Sequence, residues 1–322
     1  MLVSGKCKTT TYMKILIIGK GVIGSIYAHQ FLKNGFEVHH YIRQINDDLS
    51  SSIKIDILDK TINKIETGTY TYTFTDNLTS DYDLIVVSVR HYQLLSLLEK
   101  ISSLNVTTLV FGNVWTDLSN IKSLFKNPET IFFGMPRAGG AILNDKLEGA
   151  ILPEIILEER SSTNAYNQIV NLFENSGRKI VTIKNMQDWY WTHFATTVAW
   201  ICGGVKAKGY IPFSKSYTAI KDSLNAGKEA IEIVKTRGAN IAVCEDIKPF
   251  LLPTWISAVI IKIVLAKEET IRISAGHGDY APTEMTKIYE DIVKKGKELN
   301  CKTTILENYK TYFDVINENT SH

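Results

Sequence analysis

The stretch that decides the fold is MKILIIGKGVIGSIYAHQFLKNGFEVHHYIR, residues 13–43. It opens with a short apolar run at residues 15–18, of the kind that forms a strand buried on both faces. A G-x-G-x-x-G pattern follows at residues 19–24, and then a helical pattern that ends at an Asn-Gly C-cap signal. A second strand at residues 36–42 completes a β-α-β unit within about thirty residues, the context that a dinucleotide-binding turn requires.

Each glycine of this pattern has a physical role. Gly19 permits the tight turn, Gly21 lets the backbone approach a pyrophosphate, and Gly24 lets the helix pack closely on the strand. The helix N-terminus then presents free N–H groups and the positive end of its dipole to the phosphates. An ordinary glycine turn is the alternative for the pattern alone. Within the β-α-β unit, the pattern predicts that the cofactor is bound by Gly19, Lys20, Gly21, Val22, Ile23 and Gly24.

The end of the second strand indicates which cofactor is bound. Enzymes that select NAD carry Asp or Glu at this point to accept a hydrogen bond from the ribose 2′-OH, whereas Arg suits the 2′-phosphate of NADP. This chain has Arg43 here, followed by Gln44. A solvated surface arginine is the alternative. The sequence therefore favours NADP over NAD.

The composition is that of an ordinary soluble globular protein, with 44% hydrophobic and 22% charged residues. The length of 322 residues is enough for two domains, each with its own core. The net charge is +2 and the basic residues are spread along the chain, so neither nucleic acid nor an anionic membrane is expected as a partner.

Three further features of the sequence bear on metal binding and on the cellular location of the protein. The four cysteines form no C-x-x-C pair and no metal-ligand spacing with a histidine, which predicts thiols in a reducing cytosol and no metal site. Residues 1–12 lack the apolar stretch of a secretion signal and are predicted to be a disordered extension. The most apolar run, residues 255–266, is too short to span a bilayer and predicts a buried helix. We expect a soluble, cytoplasmic protein.

Strand patterns continue beyond the first unit. Alternating apolar and polar residues at 53–65 and 67–75 predict antiparallel or edge strands. Apolar runs and leucine spacing then predict, in order, a strand at 83–90, a helix at 92–101, and strands at 107–113 and 130–134. Strands that alternate with helices predict an α/β fold with a Rossmann-type, doubly wound parallel sheet.

Ligands of such sheets bind outside the carboxyl ends of the strands. This rule singles out the glycine turn and three residues that each follow a predicted strand, Arg43, Arg90 and Asn113. Any one of them could be an ordinary loop residue, but together they predict a site at one edge of the sheet.

The period changes near residues 185–188. Long helical segments follow at 190–201, 217–237, 255–267 and 282–300. The sequence therefore predicts a Rossmann domain over residues 13–187 and an all-α C-terminal domain over residues 188–322.

These motifs resemble ketopantoate reductases (2-dehydropantoate 2-reductases) from residue 13 to about residue 313. Residues 19–43 are similar to the family's opening, including its Arg after the second strand. In VVSVRHYQ, Arg90 and Gln93 stand where a Lys and a Gln of the family approach the cofactor. In FGNV, Asn113 matches an Asn beside the nicotinamide and the substrate. In PTEMTKIYEDIVKKGKELN, Glu284 matches a Glu that contacts substrate.

The chain departs from the family at the catalytic lysine. The family has W-x-K followed four residues later by Asn, whereas this chain has Trp191, His193 and Thr197 at the corresponding places. The two replaced residues remain at i and i+4, hence on one helix face. The resemblance implies that His193 takes the catalytic position, with Thr197 near the substrate; Ser274 is placed near the substrate by its expected loop position. A packed helix histidine is the alternative for His193, and a first-turn acid that complements the helix dipole is the alternative for Glu284.

The resemblance implies an enzyme that uses NADPH to reduce a small 2-oxo acid, with ketopantoate of pantothenate biosynthesis as the first candidate. Such a reduction needs a hydride for the carbonyl carbon and a proton for the developing alkoxide. An imidazolium can supply that proton, although an unperturbed histidine has a pKa of about 6.5 and is half neutral where lysine is charged.

Several points stay open at this stage. Ser274 and His277 are expected in a flexible substrate loop, and Lys206 or Lys208, from a glycine-rich turn, could supply a displaced cation. The resemblance also allows a homodimer formed through the helical domain. A reductase or dehydrogenase of a different oxo acid, or a non-catalytic NADPH-binding sensor, are the alternatives, both favoured by the loss of the Lys and Asn.

Overall fold

The computed structural model describes residues 13–45, 50–280 and 282–319, and the side chains of these residues except 275–280 and 316–319. Residues 1–12, predicted as a disordered extension, lie outside the described residues. Their predicted disorder therefore stays a prediction.

The strands, in chain order, are β1 (Lys14–Ile18), β2 (Glu37–Tyr41), β3 (Ser52–Asp59), β4 (Lys64–Thr71), β5 (Phe74–Thr75), β6 (Leu84–Val87), β7 (Thr107–Phe111), β8 (Ile131–Met135), β9 (Ala138–Leu143), β10 (Lys146–Ile151), β11 (Glu154–Glu158) and β12 (Lys179–Ile183). Eight of them form one sheet in the order β12-β11-β8-β7-β6-β1-β2-β5. All neighbours in this sheet run parallel except β8 and β11. Strands β1, β6 and β7 lie at its centre, and their side chains are almost all buried.

A second sheet of four strands has the order β4-β3-β10-β9. It was not predicted as a separate sheet. The run 53–65, predicted as one strand, is β3 and the start of β4 with a turn between them, where Asn63 has φ +51°. Strands β9 and β10 were missed because their glycines, among them Gly139 and Gly149, weaken the strand pattern. A Cβ on Gly149 would lie 2.4 Å from the Gly139 carbonyl oxygen, so glycine is needed for this close pairing.

The helices are α1 (Val22–Lys33), α2 (His91–Ile101), α3 (Leu118–Lys122), α4 (Asn164–Asn175), α5 (Met186–Lys206), α6 (Tyr210–Lys215), α7 (Tyr217–Thr236), α8 (Lys248–Leu251), α9 (Thr254–Leu265), α10 (Glu268–Tyr280), α11 (Pro282–Glu298), α12 (Thr304–Glu307) and α13 (Lys310–Asn319). From Met186 onward the described residues form no strand, which confirms the predicted fold class. Small buried residues such as Ala195, Ala199 and Ala226 let α5 and α7 pack closely at the centre of the helical part. The predicted division between residues 187 and 188 stays a prediction.

Two predictions about the helical part are wrong. Residues 268–280 form α10, so Ser274 and His277 lie on a helix and not in a loop. Gly276 and Gly278 predict a loop, but the helix accommodates both. Gly203 and Gly204 lie inside α5 and not in a glycine-rich turn. Glycine is needed at 203 for another reason: a Cβ there would lie 2.2 Å from the Phe213 ring.

The helix at 254–265 is the third correction. Its apolar run predicts burial, but only Ser257, Ala258, Ile261 and Leu265 are buried. Trp255 is 61% exposed and Ile263 is 65% exposed. Helix α9 is apolar on all sides, whereas only one of its sides packs against the protein.

Candidate active site

The glycine turn has the geometry that a dinucleotide requires. Gly19 has φ +128°, and a Cβ there would lie 2.0 Å from the carbonyl oxygen of Ser88, just after β6. A Cβ on Gly24 would lie 2.0 Å from the carbonyl oxygen of Gly19. Around Gly21 a Cβ would meet no atom within 4 Å, so the N-terminus of α1 is open to an approaching phosphate. Since Gly21 has no side chain to cap α1, the first N–H groups of this helix are available to an anion.

The side chain of Lys20 lies over aromatic rings and not over this open face. Its Nζ is 4.8 Å from the centre of the Tyr72 ring and 5.1 Å from that of Phe74, and it donates to the carbonyl of Ser50 at 3.2 Å. Burial lowers the pKa of the Lys20 amine, against the opposing charge of Asp145. Val22 and Ile23, the other predicted members of the turn, pack at the edge of the core around α1.

A cleft of about 280 Å³ adjoins the turn at the ends of β1, β2 and β6. Three predicted cofactor residues line it, Gly19, Arg43 and Gln93. The sequence reasoning missed two other polar residues of the cleft, Ser96 and Lys100, which follow Gln93 on the same face of α2. Their i+3 and i+7 spacing from Gln93 is the signal that could have found them. The full lining is Ile18, Gly19, Tyr41, Arg43, Val89, Gln93, Ser96, Leu97 and Lys100.

Arg90 points to the helical part of the molecule instead of lining this cleft. Its Nη1 donates to the hydroxyl of Tyr92 at 2.9 Å, and its Nε lies 3.9 Å from Oε2 of Glu284. The hydrogen bond to Tyr92 raises the pKa of the guanidinium, and the charge of Glu284 adds to this. The ion pair brings Glu284, in the first turn of α11, to the edge of the sheet where β6 ends.

His193 is held on two sides within α5. Its Nδ1 lies 2.7 Å from Oδ2 of Asp246, and its ring stacks on Trp189 at 4.9 Å. The hydroxyl of Thr197 donates to the backbone carbonyl of His193 at 2.8 Å and lies 3.5 Å from Nε2. Because Nδ1 is engaged by a carboxylate, Nε2 is the ring nitrogen left for proton transfer.

Asp246 is a site residue that sequence reasoning missed, because it follows a turn far from any motif. Burial would raise the pKa of its carboxyl, but the hydrogen bond from His193 and the positive charges of His193 and Arg137 outweigh burial and lower it to about 2. Asp246 is therefore an anion at neutral pH.

Asn113 lies in the loop after β7, which is tied to α5. The indole of Trp191 donates to the carbonyl of Trp115 at 3.1 Å, and the Trp115 ring stacks on Phe194 at 4.5 Å. The Tyr190 hydroxyl donates to the carbonyl of Gly134 in β8 at 2.8 Å. These contacts set the ends of β7 and β8 beside the turn of α5 that carries His193.

Arg137 is a second residue that sequence reasoning missed. It follows β8 at the same edge of the sheet, is half-buried, and contributes positive charge at Asp246. Within the described part of the chain its side chain makes no ion pair and no hydrogen bond, so its charge is available to a ligand. The signal was a basic residue immediately after a strand, the same rule that singled out Arg90.

The other candidates lie elsewhere. Ser274 hydrogen-bonds Tyr210, whose pKa burial raises to about 12. Lys206 pairs with Asp222 at 2.8 Å, and Lys208 is an exposed residue with φ +59° just after α5. Neither lysine contacts His193 or Asp246. Among the described residues, no group of three or more His, Cys, Asp or Glu is placed to hold a metal ion.

The N-terminal part of the chain is similar to a known protein family. Residues 15–146, from β1 to the first residue of β10, match the family model described as ketopantoate reductase PanE/ApbA. The resemblance to ketopantoate reductases is confirmed. With it, the expected class of enzyme, an oxidoreductase, is confirmed, and the matched residues with their glycine turn indicate a nicotinamide dinucleotide cofactor. No curated protein matches the chain in a sequence search.

Solved structures share the fold of this ketopantoate reductase-like chain along its whole length. A dimeric ketopantoate reductase from Staphylococcus aureus is 13% identical with a TM-score of 0.68, covering 95% of this chain and 99% of its own. A PanE/ApbA family ketopantoate reductase from Ralstonia eutropha JMP134 is 14% identical with a TM-score of 0.70, covering 96% and 100%. A D-mandelate dehydrogenase solved with NADH and anilino(oxo)acetate is 16% identical with a TM-score of 0.69, covering 95% and 99%.

Proposed function

We propose that this protein reduces a small 2-oxo acid with NADPH, and that ketopantoate is the first substrate to test. The observation that carries the proposal is the 2.7 Å contact between His193 and Asp246 at the position of the family's catalytic lysine. A carboxylate that orients a histidine is a recurring arrangement in acid–base catalysis. With Asp246 as its partner, His193 can hold a proton and donate it.

The choice of NADPH is supported by the cleft beside the glycine turn. Arg43 and Lys100 both line this cleft, and neither forms an ion pair with another described residue. Two cations without internal partners suit the 2′-phosphate of NADP, which carries negative charge and several acceptor oxygens. The uncharged 2′-OH of NAD would leave Arg43 and Lys100 without an anionic partner.

The residues of the chain bind the substrate and move one proton. A bound nicotinamide dinucleotide supplies the hydride. The imidazolium of His193 donates its Nε2 proton to the developing alkoxide, while ionised Asp246 holds the ring by Nδ1 and stabilises its positive charge. The hydroxyl oxygen of Thr197 lies 3.5 Å from Nε2, beside the nitrogen that carries this proton.

The remaining polar groups suit the other parts of a 2-oxo acid. Arg137 lies at the end of β8 with no partner of its own among the described residues, so we assign to it the substrate carboxylate. Asn113 and Glu284 are assigned to the substrate as the resemblance implies, with Glu284 brought to the sheet edge by Arg90. The resemblance also implies a cytoplasmic homodimer. None of the described helices is both long and apolar enough to cross a bilayer.

The test is turnover of NADPH, followed by the loss of its absorbance, with a panel of 2-oxo acids that includes ketopantoate. His193→Ala should lower kcat on the best substrate by roughly 10²- to 10⁴-fold, the usual contribution of a positioned acid. Asp246→Asn should also lower kcat, because the amide stabilises the imidazolium less and allows the wrong tautomer. Unchanged kcat in His193→Ala would show that this residue only packs.

A second candidate is the oxidation of a 2-hydroxy acid that carries an aromatic ring. It is favoured by the half-buried ring of Trp115, which stacks on Phe194 at 4.5 Å beside the turn of α5 that carries His193. The same His193 and Asp246 pair would then accept the hydroxyl proton. The panel separates the two candidates if it includes phenylglyoxylate and, in the reverse direction, mandelate and pantoate.

A further inference from the structure

The side chain of Arg237 connects two segments of the candidate active site. Arg237 follows the last turn of α7, and its guanidinium carbon lies 3.6 Å from the centre of the Trp191 ring and 4.4 Å from that of the Trp115 ring. Trp191 lies two residues before His193 on α5. Trp115 lies two residues after Asn113 in the loop that follows β7. The guanidinium therefore contacts a near neighbour of each of these two candidate site residues.

Hydrogen bonds fix the guanidinium between the two rings. Its Nη1 donates to the carbonyl oxygen of Trp115 at 3.2 Å, and its Nη2 donates to Oδ1 of Asp117 at 3.1 Å. The same carbonyl oxygen accepts from the indole of Trp191 at 3.1 Å, so both of its lone pairs are used. A planar guanidinium that is hydrogen-bonded and in contact with aromatic rings has little freedom to turn. The loop of Asn113 and the helix of His193 are therefore joined through one rigid group.

We propose that Arg237 is a positioning residue for the reduction, which holds Asn113 and His193 in their working geometry without itself touching the substrate. This role rests on the proposed function, in which His193 donates a proton to a substrate that Asn113 contacts. Groups that act on one substrate from different elements must keep their geometry within about 0.5 Å. A displacement of about 1 Å lowers the rate by roughly 100-fold. A residue that joins the two segments therefore affects the rate.

The cost of burying this charge favours a role in positioning over a role in stability. The Arg237 side chain is only 13% exposed, and burial lowers the pKa of its guanidinium against the opposing charge of Asp117. Asp117, its one ion-pair partner in the described part of the chain, is 46% exposed, so solvent screens the pair. Replacing a buried charge by an apolar residue of similar size is often neutral for stability. The hydrogen bonds to the loop are what an apolar residue cannot reproduce.

The experiment compares Arg237→Met with Arg160→Met. Arg160 is a matched control, because its side chain is 15% exposed, lies 5.5 Å from the centre of the Phe132 ring and pairs with Glu129, which precedes β8 at the end away from the site. We expect Arg237→Met to lower kcat by roughly 10- to 100-fold, while KM for the 2-oxo acid and the affinity for NADPH change by less than about 3-fold. Arg160→Met should keep all three. Arg237→Lys, which restores the charge and a donor, should recover part of kcat.

An NMR measurement tests the positioning without turnover. The five tryptophans give five indole N–H signals in an isotope-labelled sample, and Trp191→Phe identifies the signal of Trp191. This indole donates to the carbonyl oxygen that Arg237 also bonds. In Arg237→Met its signal should therefore shift and its exchange with water should quicken, whereas the signals of Trp200 and Trp255 should stay in place.

Two results would overturn the proposal, an unchanged kcat in Arg237→Met and an unchanged Trp191 signal. A KM that rises in proportion to the fall in kcat/KM would also overturn it, because Arg237 would then bind the substrate directly. If Arg237→Met does not fold, the same readings on Arg237→Lys decide between these outcomes. An unmodified chain that reduces no 2-oxo acid would instead overturn the proposed function, and the Trp191 signal would then show separately whether Arg237 holds the loop.

Discussion

At the scale of single residues, the proposed role of His193 depends on the partner that accompanies it. A lysine has one nitrogen to offer, whereas the tautomer and orientation of a histidine are fixed by the partner of its other ring nitrogen. Asp246 is that partner, 2.7 Å from Nδ1 and held as an anion. The proton donor that we propose is therefore a pair of residues, His193 and Asp246.

Cofactor selection is a second property of single residues. Arg43→Ala should weaken NADPH binding by roughly 10- to 100-fold, because a charge-assisted contact to the 2′-phosphate contributes about 1.5–3 kcal/mol. NADH lacks this phosphate, so its binding should change little. Fluorescence titration of both cofactors measures the difference, with Lys126→Ala, a surface lysine outside the cleft, as the control. An equal loss for both cofactors would contradict the assignment of Arg43.

The buried imidazole of His40 should make the stability of the protein depend on pH. Burial lowers the pKa of its imidazole to about 4, with the charges of Lys20 and His39 adding to this, and its Nε2 bonds the Tyr70 hydroxyl at 2.8 Å. The unfolded chain binds this proton near pH 6.5. Stability from neutral His40 is thus complete above about pH 6.5 and lost as the pH falls to about 4.

His40→Gln should remove this dependence while retaining a partner for Tyr70. Urea unfolding at pH 7 and pH 5 should show that the drop in the free energy of unfolding is smaller in the variant by about 2 kcal/mol. His39→Gln is the control, since the half-buried His39 should account for less of the drop. Equal drops in His40→Gln and the unmodified chain would mean that His40 is not buried as a neutral group.

At the scale of secondary-structure elements, two glycines of the turn have different roles, Gly24 in folding and Gly21 in cofactor binding. Gly24→Ala would set a Cβ 2.0 Å from the carbonyl oxygen of Gly19, so α1 must move away from β1 and the protein should lose about 1–3 kcal/mol of stability. Gly21→Ala meets no atom within 4 Å, and its φ of −80° suits alanine. Thermal melting should therefore leave Gly21→Ala unchanged, whereas titration should show weaker cofactor binding. Normal binding by Gly21→Ala would place the pyrophosphate elsewhere.

The elements that could be predicted from the sequence have signals that are local in the chain. Strands β1, β6 and β7 could be predicted because they are buried on both faces, and the β1-turn-α1-β2 unit because its signals are local in sequence. Helix α1 ends at Lys33 with Asn34 as C-cap and Gly35 at φ +85°, as its Asn-Gly signal predicts.

The elements that the sequence did not predict depend on contacts distant in the chain. The sheet of β3, β4, β9 and β10 joins residues about ninety positions apart, as in the pairing of Lys54 with Lys146. Asp246 reaches His193 across 53 positions. The predicted burial of α9 failed because hydrophobicity shows that a surface avoids water but not which molecule covers it.

At the scale of the whole molecule, the ends of the parallel strands face the helical part, and a few side chains connect the two. Arg90 reaches Glu284, and His91, almost fully buried, lies 3.0 Å from Asp291 on the same helix α11. On the other side, Arg272 of α10 contacts Asp56 of β3 at 2.8 Å. We therefore expect the proposed substrate to contact groups from both parts of the chain.

This arrangement makes a prediction for Glu284. Its ion pair with the half-exposed Arg90 spans 3.9 Å, and such pairs contribute at most about 1 kcal/mol, so Glu284→Gln should melt within a few degrees of the unmodified chain. If Glu284 contacts substrate, the variant should keep its affinity for NADPH and lose kcat/KM for the 2-oxo acid by roughly 10-fold or more. Glu290→Gln, on the same helix but paired with Lys287 at the surface, is the matched control and should retain both. Titration of cofactor and initial rates with substrate give the two quantities in one preparation. A loss of NADPH affinity as large as the loss of kcat/KM would show that Glu284 instead positions Arg90 for the cofactor, and the assignment of Glu284 to the substrate would then be wrong.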